Sequence, residues 1–417
     1  MTASTVPPID QNAPTITTRV KEGDLGGSTN LFLGVGAIAT IVGIALAMFD
    51  GTGGGYFAYL VAYMFTLSIA LGALFFVLVQ HITRAGWSVV VRRLAENMTT
   101  VFPVLAILFL PIAIGGPESL YHHWWHVAPA GSPAYDEIVA HKAGYLNPTF
   151  FYVRAAFYFA VWIGLSRYFR NASVAQDQNG DPAITMRLAR RAAPGLLLFA
   201  ITTTFAAFDW IMSIDPHWFS TMFGVTYFAG SVMAFYAVLA LVCMWLRGKG
   251  YLGDIVNTEH YHDIGKLMFA FMVFWTYVNF SQYMLIYYAN LPEETHWYQY
   301  RSHNGWDYVG PILIFGHFLA PFAFLLSRHV KRNRPMLAFG AVFLLVMHWI
   351  DMQYLIMPVH QQDTASATGL EFGFDHIASF VGLLFLFLGW TLRTTSSTPL
   401  VPERDPRLRE SLKFHNI

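Results

Sequence analysis

The sequence predicts an all-α integral membrane protein with ten transmembrane helices. Of its 417 residues, 55% are hydrophobic and only 12% are charged, whereas an ordinary soluble domain carries roughly 25% charged residues. A soluble protein of this size needs more charged residues on its surface. Lipid must therefore be the solvent for much of the surface of this chain. Ten apolar stretches are also long enough to cross about 30 Å of hydrocarbon.

The apolar stretches favour helices over a β-barrel because they are long and lack strict polar–apolar alternation. Residues 1–28 are expected to form a cytoplasmic N-terminal tail, residues 29–392 the membrane domain and residues 393–417 a cytoplasmic C-terminal tail. The predicted spans are 29–49, 56–80, 99–116, 148–168, 194–215, 218–246, 263–289, 307–327, 335–357 and 373–392.

The charge balance and the single cysteine exclude several classes of function. Lys+Arg and Asp+Glu number 25 each, which argues against a nucleic-acid-binding protein, because such proteins carry a basic excess. With Cys243 as its only cysteine, the chain cannot supply a c-type haem motif, an iron–sulfur cluster, a structural zinc cluster or an internal disulfide. Any electron carriers therefore belong to partner subunits or are bound without a covalent link.

Basic residues predict the orientation of the chain. Arginines and lysines concentrate in four of the connections between spans, while the five opposite connections hold only Lys142 and Arg301. The positive-inside rule therefore places both termini in the cytoplasm. The fourteen basic residues are Arg84, Arg92, Arg93, Arg167, Arg170, Arg187, Arg190, Arg191, Arg247, Lys249, Arg328, Lys331, Arg332 and Arg334.

An internal repeat relates predicted helices 2–5 to helices 6–9. Because the shift is four helices, an even number, both sets cross the membrane in the same direction, so the repeat is parallel rather than inverted. The sequence thus predicts two four-helix bundles and two peripheral helices. The matching motifs are Pro117-Glu118 and Pro292-Glu293; Ser166-Arg167 and Ser327-Arg328; and Asp209-Trp210-Ile211 before Pro216 and His348-Trp349-Ile350 before Pro358.

Charged residues inside the spans are candidate functional residues, because each costs roughly 2.5–3.5 kcal/mol to insert at a helix centre. Asp209 in helix 5 has two interpretations: a protonatable group on a proton path or beside a quinone, or a structural hydrogen-bond partner of a neighbouring helix. Asp215, nearer the outer interface, either caps the next helix at Pro216 or belongs to the same path. His217 is a further candidate beside it.

Helices 8 and 9 contribute a second set of candidates. His348 and Asp351 lie three residues apart on one helix face, as a proton relay or as a packed polar pair requires. His317 in helix 8 either lines the same path or is a buried histidine bonded to a carbonyl. A haem held by His317 and His348 is a weaker alternative, because nothing in their spacing demands it.

Two further pairs lie towards the helix ends. Asp263 and Lys266 open helix 7, either as a solvated ion pair or as the mouth of a proton-uptake path. Arg154 lies about two turns inside helix 4 and needs an anion or a route to the interface. Glu118 is the expected partner of Arg154.

Four long motifs resemble those of NrfD/PsrC-like membrane subunits of bacterial alternative complex III. The resemblance covers nearly all of the chain after residue 25. This family has ten helices, with helices 2–5 and 6–9 as two bundles, which agrees with the repeat found from the residues. The motifs are FDWIMSIDPHWFST at 208–221, HDIGKLMFAF at 262–271, YANLPEET at 288–295 and RDPRL at 404–408.

The resemblance implies a subunit of a quinol:cytochrome c-type respiratory oxidoreductase in the bacterial inner membrane. Its implied partners are periplasmic cytochrome c subunits, an iron–sulfur subunit and a second NrfD-like membrane subunit, which would hold the haems and clusters. This chain would bind no covalent cofactor and would contribute a proton path, with menaquinone or menaquinol contact as a further expectation. Two alternatives are a purely structural scaffold and a secondary transporter with a midplane substrate site.

Overall fold

The computed structural model describes residues 18–253, 255–363, 370 and 372–416. Within them the fold is all-helical, and ten helices are long and apolar enough to cross a membrane. The predicted number of spans is confirmed, and these helices indicate a multi-pass membrane protein. They are α1 (Gly26–Phe49), α2 (Gly54–Ile82), α3 (Val89–Gly115), α4 (Pro148–Asn179), α5 (Pro182–Ile214), α6 (Phe223–Gly248), α7 (Thr258–Ala289), α8 (Trp306–Leu326), α9 (Arg334–Gln362) and α10 (Phe374–Ser396).

Helices α4 and α5 continue well beyond the predicted hydrocarbon spans. At 32 residues, α4 is about 48 Å long, so it projects past a hydrocarbon layer of about 30 Å. Hydropathy detects only the apolar part of a helix, whereas polar turns continue where caps and tertiary contacts stabilise them. Here Gly180 ends α4 in a left-handed conformation with φ of 65°, and the Asp181 side chain accepts a hydrogen bond from the Ala183 amide at the start of α5.

Helices α2 and α6 lie at the centre of the molecule. They contact each other closely, and a Cβ atom on Gly72 of α2 would collide with the Ser231 carbonyl oxygen of α6. Helix α2 also contacts α3 and α5, and α4 contacts both of these. Correspondingly, α6 contacts α7 and α9, and α8 contacts both of those. Helices α1 and α10 pair with each other at the edge, where a Cβ on Gly382 would lie 2.5 Å from the Thr40 amide nitrogen.

The described C-terminal residues after α10, 397–416, form a segment that packs back onto the helices. Its Leu400 and Val401 are buried, and the Leu400 amide donates to the Thr18 carbonyl. Further along, the Ser411 hydroxyl donates to the Trp87 carbonyl between α2 and α3. Because this segment joins both described chain ends and the α2–α3 connection, all of them lie on one side of the molecule, which we call the terminal side.

A buried ionic network anchors the C-terminal segment to α3 and α4. Glu96 accepts from Arg92 Nε at 3.1 Å and from Arg93 Nε at 3.0 Å, and all three side chains are at most 1% exposed. Arg92 Nη2 also donates to Asp405 at 2.7 Å, and Arg93 Nη1 donates to Asp177 at 2.8 Å. Helix α3 begins at Val89, ten residues before the start predicted from hydropathy. The ionic network stabilises these additional turns, because it pairs the charged side chains that they bury.

Acidification is expected to release the C-terminal segment. Burial opposes ionisation of Asp405, but the Arg92 and Arg407 guanidinium groups outweigh it and lower the pKa of this carboxyl to about 2 from 3.8. A depressed folded-state pKa stabilises the packed segment above pH 4, and this contribution of about 2 kcal/mol is lost as the pH falls towards 2.

Hydrogen exchange of residues 397–416, corrected for intrinsic rates, measures this release. We expect protection at pH 6 and its loss near pH 2.5, whereas the Asp405→Asn variant should be weakly protected at both. Equal protection of the unmodified segment at the two pH values would contradict the prediction.

Candidate functional site

Trp275 of α7 lies at the centre of a polar group buried in the middle of the helices. Its indole meets the His317 imidazole of α8 nearly at right angles, with ring centroids 3.8 Å apart. Its Nε1–H donates to Asp351 Oδ2 of α9 at 3.1 Å. Asp351 is 17 residues from the start of α9 and 11 from its end, which places it about 26 Å and 17 Å from the two ends.

His348 joins the same group from the other side. Its Nε2 is 2.9 Å from Ser68 Oγ of α2. A Cβ on Gly230 of α6 would lie 2.8 Å from His348 Cε1 and 3.6 Å from Trp275 Cδ1, so the imidazole and the indole both lie against this glycine. Four helices, α2, α7, α8 and α9, therefore contribute side chains to what we call the buried cluster: Ser68, Trp275, His317, His348 and Asp351.

The buried cluster contains polar atoms that lack hydrogen-bond partners among the described residues. Both ring nitrogens of His317 and Nδ1 of His348 are buried and unpartnered. His317 lies within the π-helical turn Leu313–Leu319, a local geometry that is frequent at functional sites. An imidazole can both donate and accept a proton. The cluster thus combines two imidazoles and one carboxyl as proton-exchanging groups.

His348 and Asp351 are not bonded to each other, which argues against the interpretation as a packed polar pair. Among the described residues these side chains bond to different neighbours, Ser68 and Trp275 respectively. Residues three apart on a helix differ by about 60° in direction, so α9 presents His348 towards α2 and Asp351 towards α7. The expected carbonyl partner of His317 is also not found among the described residues.

Asp209 of α5 forms a separate site in the first half of the chain. Its Oδ2 accepts from Arg154 Nε at 2.7 Å and from the Tyr158 hydroxyl at 2.6 Å, and its Oδ1 accepts from the Tyr145 hydroxyl at 2.8 Å. Asp209 is 1% exposed. Because both carboxylate oxygens are occupied and one donor is a cation, these contacts favour the structural interpretation of Asp209.

The expected pairing of Arg154 with Glu118 is wrong. Arg154 pairs with Asp209 instead, and its guanidinium also lies over the Tyr145 ring, 3.9 Å from the centroid. Glu118 is 70% exposed and pairs with His126 at 2.9 Å. Arg154 and Asp209 are both buried, so each compensates the desolvated charge of the other, whereas water already solvates Glu118.

Asp215 does not cap the following helix. Helix α6 begins at Phe223, seven residues after Pro216, so the predicted start at 218 was early. Asp215 accepts instead from the Tyr300 hydroxyl at 2.8 Å and lies 3.4 Å from His296 Nε2. These contacts tie the end of α5 to the connection between α7 and α8.

His217 lies in a cleft on the side opposite the terminal side. Its Nε2 is 2.5 Å from Asp136 Oδ2. Burial raises the pKa of Asp136, but the Val139 amide and His217 outweigh it, so the net pKa is lowered. The cleft has a volume of about 310 Å³ and is lined by His123, Ile138, Asp215, His217, Glu293, His296, Val359 and Gln362.

Asp263 and Lys266 form an ion pair at the beginning of α7, as one of the two sequence interpretations expects. Lys266 is 46% exposed, whereas Asp263 is 12% exposed. The Asn416 side chain donates to Asp263 Oδ1 at 2.9 Å, so the C-terminal segment reaches this pair. The pair is thus accessible on the lysine side and covered on the carboxylate side.

Sequence reasoning did not find Trp275, Ser68, Tyr145 or Tyr158. Tyr158 carried a usable signal, since it follows Arg154 by four residues and so shares its helix face. An isolated tryptophan or serine in an apolar helix carries no such signal. Its role depends on what the neighbouring helix places beside it.

The donor set does not fit the metal-containing alternative considered from the sequence. Within the described residues, no group of three or more His, Cys, Asp or Glu side chains is arranged to hold a metal ion. A haem iron between His317 and His348 requires two imidazoles facing one slot. Here the Trp275 indole lies against His317, and His348 contacts Ser68.

Comparison with known proteins provides no relative from which a function could be transferred. No family model matches the chain, and no curated protein sequence matches it. The buried residues and the sequence motifs are therefore the observations that bear on function.

Proposed function

We propose that this chain is a cofactor-free membrane subunit of a quinol:cytochrome c-type respiratory oxidoreductase, and that its second half, α6–α9, carries protons across the membrane. The buried cluster is the observation that supports this proposal most directly. It brings two imidazoles and a carboxyl together at mid-membrane depth, where ionisable residues are expensive to place and mark proton relays in pumps and transporters.

Asp351 and Asp209 differ in their bonding partners, and this difference favours Asp351 as the carboxyl that gains and loses the transferred proton. Asp209 is held by Arg154, so adding a proton would break a buried ion pair. Asp351 accepts from the neutral Trp275 indole, and no cation pairs with it among the described residues. Gain or loss of a proton at Asp351 therefore breaks no ion pair. We assign Asp209 a structural role and Asp351, His317 and His348 the relay.

The ends of the proposed path lie on opposite sides of the molecule. On the terminal side lies the Lys266–Asp263 pair. Lys266 precedes Trp275 on α7 by nine residues, which is about 14 Å along the helix. On the other side, Val359 and Gln362 of α9 line the cleft that contains His217, His296 and Asp215. Protons would enter beside Lys266, pass the buried cluster and leave through this cleft, with bridging water over the longer steps.

The helix contacts support the parallel repeat and its two bundles. In the first half, α2 and α4 each contact α3 and α5; in the second half, α6 and α8 each contact α7 and α9. The same order of contacts in both halves is what a duplicated four-helix bundle produces. A parallel repeat of this kind disfavours the secondary-transporter alternative with inverted repeats.

The remaining assignments follow from the motif resemblance and from charge. We propose a bacterial inner-membrane location with both termini cytoplasmic, because the basic connections lie on the terminal side. The proposed partners are periplasmic cytochrome c subunits, an iron–sulfur subunit and a second NrfD-like membrane subunit. Because this chain has one cysteine, iron–sulfur clusters and covalently attached haems are assigned to those partners. Menaquinol contact remains part of the proposal.

The Asp351→Asn variant tests the relay. In the complex reconstituted into vesicles, we expect the rate of proton transfer across the membrane to fall by about tenfold or more, because loss of a positioned proton donor typically costs 10²–10⁴-fold in the rate of a proton-transfer step. Trp275→Phe, which removes the donor to Asp351 but keeps an aromatic ring beside His317, should give a smaller loss. Both measurements are normalised to the amount of assembled complex.

A matched control is Thr202→Val, which removes a buried hydrogen bond between Trp162 and Thr202 in the first half. It should leave the rate of proton transfer across the membrane unchanged. Normal proton release in Asp351→Asn would contradict the relay. Reduced assembly with normal activity per assembled complex would favour the scaffold alternative, for which the saturated contacts of Asp209 are the supporting observation.

A further inference from the structure

Four arginines form an exposed surface where α4 and α5 project on the terminal side. Arg167 lies on α4, and Arg187, Arg190 and Arg191 lie on α5. All four side chains are exposed. The described residues offer none of them a hydrogen bond or an ion pair. We call these residues the basic patch.

The acidic residues of the same two helices are engaged elsewhere. Asp177 accepts from Arg93 at 2.8 Å, and Asp181 caps the start of α5. Arg170, only one turn from Arg167, points inward and donates to Asn97 Oδ1 at 3.1 Å. The inward face of this helix pair therefore satisfies its own charges. The outward face presents only positive charge in the part of the chain that the structure describes.

The basic patch continues directly into an exposed apolar stripe on α5. Leu197 and Ile201 are 64% and 44% exposed and follow Arg190 by seven and eleven residues, spacings that keep all three on one helix face. Arg190 precedes Leu197 by seven residues, about 10 Å along the helix. In a membrane, the apolar stripe meets acyl chains, and the arginines lie at the depth of the lipid phosphates.

We infer that the basic patch binds the phosphate of an anionic phospholipid, whose acyl chains pack on the α5 stripe. Guanidinium groups form bidentate, charge-assisted hydrogen bonds with phosphate oxygens. A zwitterionic lipid offers the same phosphate with a cation attached, which four uncompensated arginines repel. Charge complementarity thus selects an anionic lipid. The apolar stripe selects a lipid over a soluble phosphate.

Lipid titration of the full chain in neutral detergent, followed by native mass spectrometry, tests this inference. Phosphatidylglycerol is compared with phosphatidylcholine of identical acyl chains. We expect phosphatidylglycerol to bind about tenfold more tightly, and the Arg187→Gln/Arg190→Gln/Arg191→Gln variant to lose about that factor, since each basic residue near an anionic surface contributes measurably to attraction. Affinity for phosphatidylcholine should not change.

A charge-matched control removes three exposed arginines outside α4 and α5 on the terminal side, as Arg328→Gln/Arg334→Gln/Arg393→Gln. It should change phosphatidylglycerol affinity less than about twofold, because those residues belong to the second half of the chain and not to α4 or α5, which carry the patch and the stripe. An equal loss in both triple variants, or no loss in the first, would overturn the site.

Two further measurements separate other occupants. If millimolar inorganic phosphate displaces the lipid, the patch is a general anion site and the lipid assignment fails. If the first triple variant loses a partner subunit from the complex while phosphatidylglycerol binding stays unchanged, the patch contacts protein and the assignment also fails. Neither measurement depends on proton transfer, so failure of this inference and failure of the proposed function can be distinguished.

Discussion

Replacing Arg154 with methionine is expected to lower the free energy of unfolding of this chain by about 3–5 kcal/mol, the usual cost of removing one partner from a buried ion pair. Asp209 is 1% exposed and would keep the hydroxyl donors of Tyr145 and Tyr158 but lose its cation. Methionine retains the length and much of the apolar stem of arginine, so packing changes little. The decrease in unfolding free energy therefore measures the cost of leaving the Asp209 carboxylate buried without a cation.

The midpoint of SDS-induced unfolding in mixed micelles measures this effect. The double variant Arg154→Met/Asp209→Asn serves as the control, because asparagine carries no charge, its oxygen can accept from one tyrosine and its NH₂ group can donate to the hydroxyl oxygen of the other. We expect it to recover much of the lost stability. If the single and double variants are equally unstable, packing rather than charge is responsible and the ion-pair account is wrong.

The Glu96→Gln substitution is the second change with a large expected effect, again about 3–5 kcal/mol of unfolding free energy. Glu96 accepts from both Arg92 and Arg93, and all three side chains are at most 1% exposed. Glutamine keeps the shape but removes the negative charge between two buried guanidinium groups. Asp405 and Asp177 would then be the remaining carboxylates for two cations.

Unfolding of Glu96→Gln is followed by the same titration, together with hydrogen exchange of residues 397–416. We expect lower stability and weaker protection of the C-terminal segment. Glu403→Gln is the matched control, because Glu403 pairs with an Arg19 side chain that is 70% exposed, and such pairs contribute about 0–1 kcal/mol. Similar effects of the two substitutions would contradict the importance of the buried network.

The spans were predictable because hydrophobicity is a local property of the sequence. The length and hydropathy of a stretch such as Gly26–Phe49 show that it can cross a membrane, whichever helices pack against it. The candidate residues Asp209, His317, His348 and Asp351 were found for the same reason, since an ionisable side chain in an apolar run is visible without a structure. All four are buried, at most 2% exposed.

The partners of those residues were not predictable. Arg154 is bonded to Asp209, 55 positions along the chain, rather than to Glu118. Asp351 is bonded to Trp275, 76 positions away. A helix periodicity says which residues share one face, but it carries no information on which other helix packs against that face. The C-terminal segment shows the same limit, because its packing depends on Asp405 meeting Arg92 from 313 positions away.

The sequence by itself determined the membrane class, the ten helices, the basic side and the small set of buried ionisable residues. Each of these follows from the transfer of individual residues between water and lipid, which needs no knowledge of neighbours. Only the tertiary structure decided which carboxylate is held by a cation and which is not. That difference depends on helix packing, since an arginine on α4 reaches Asp209 whereas a neutral indole on α7 reaches Asp351.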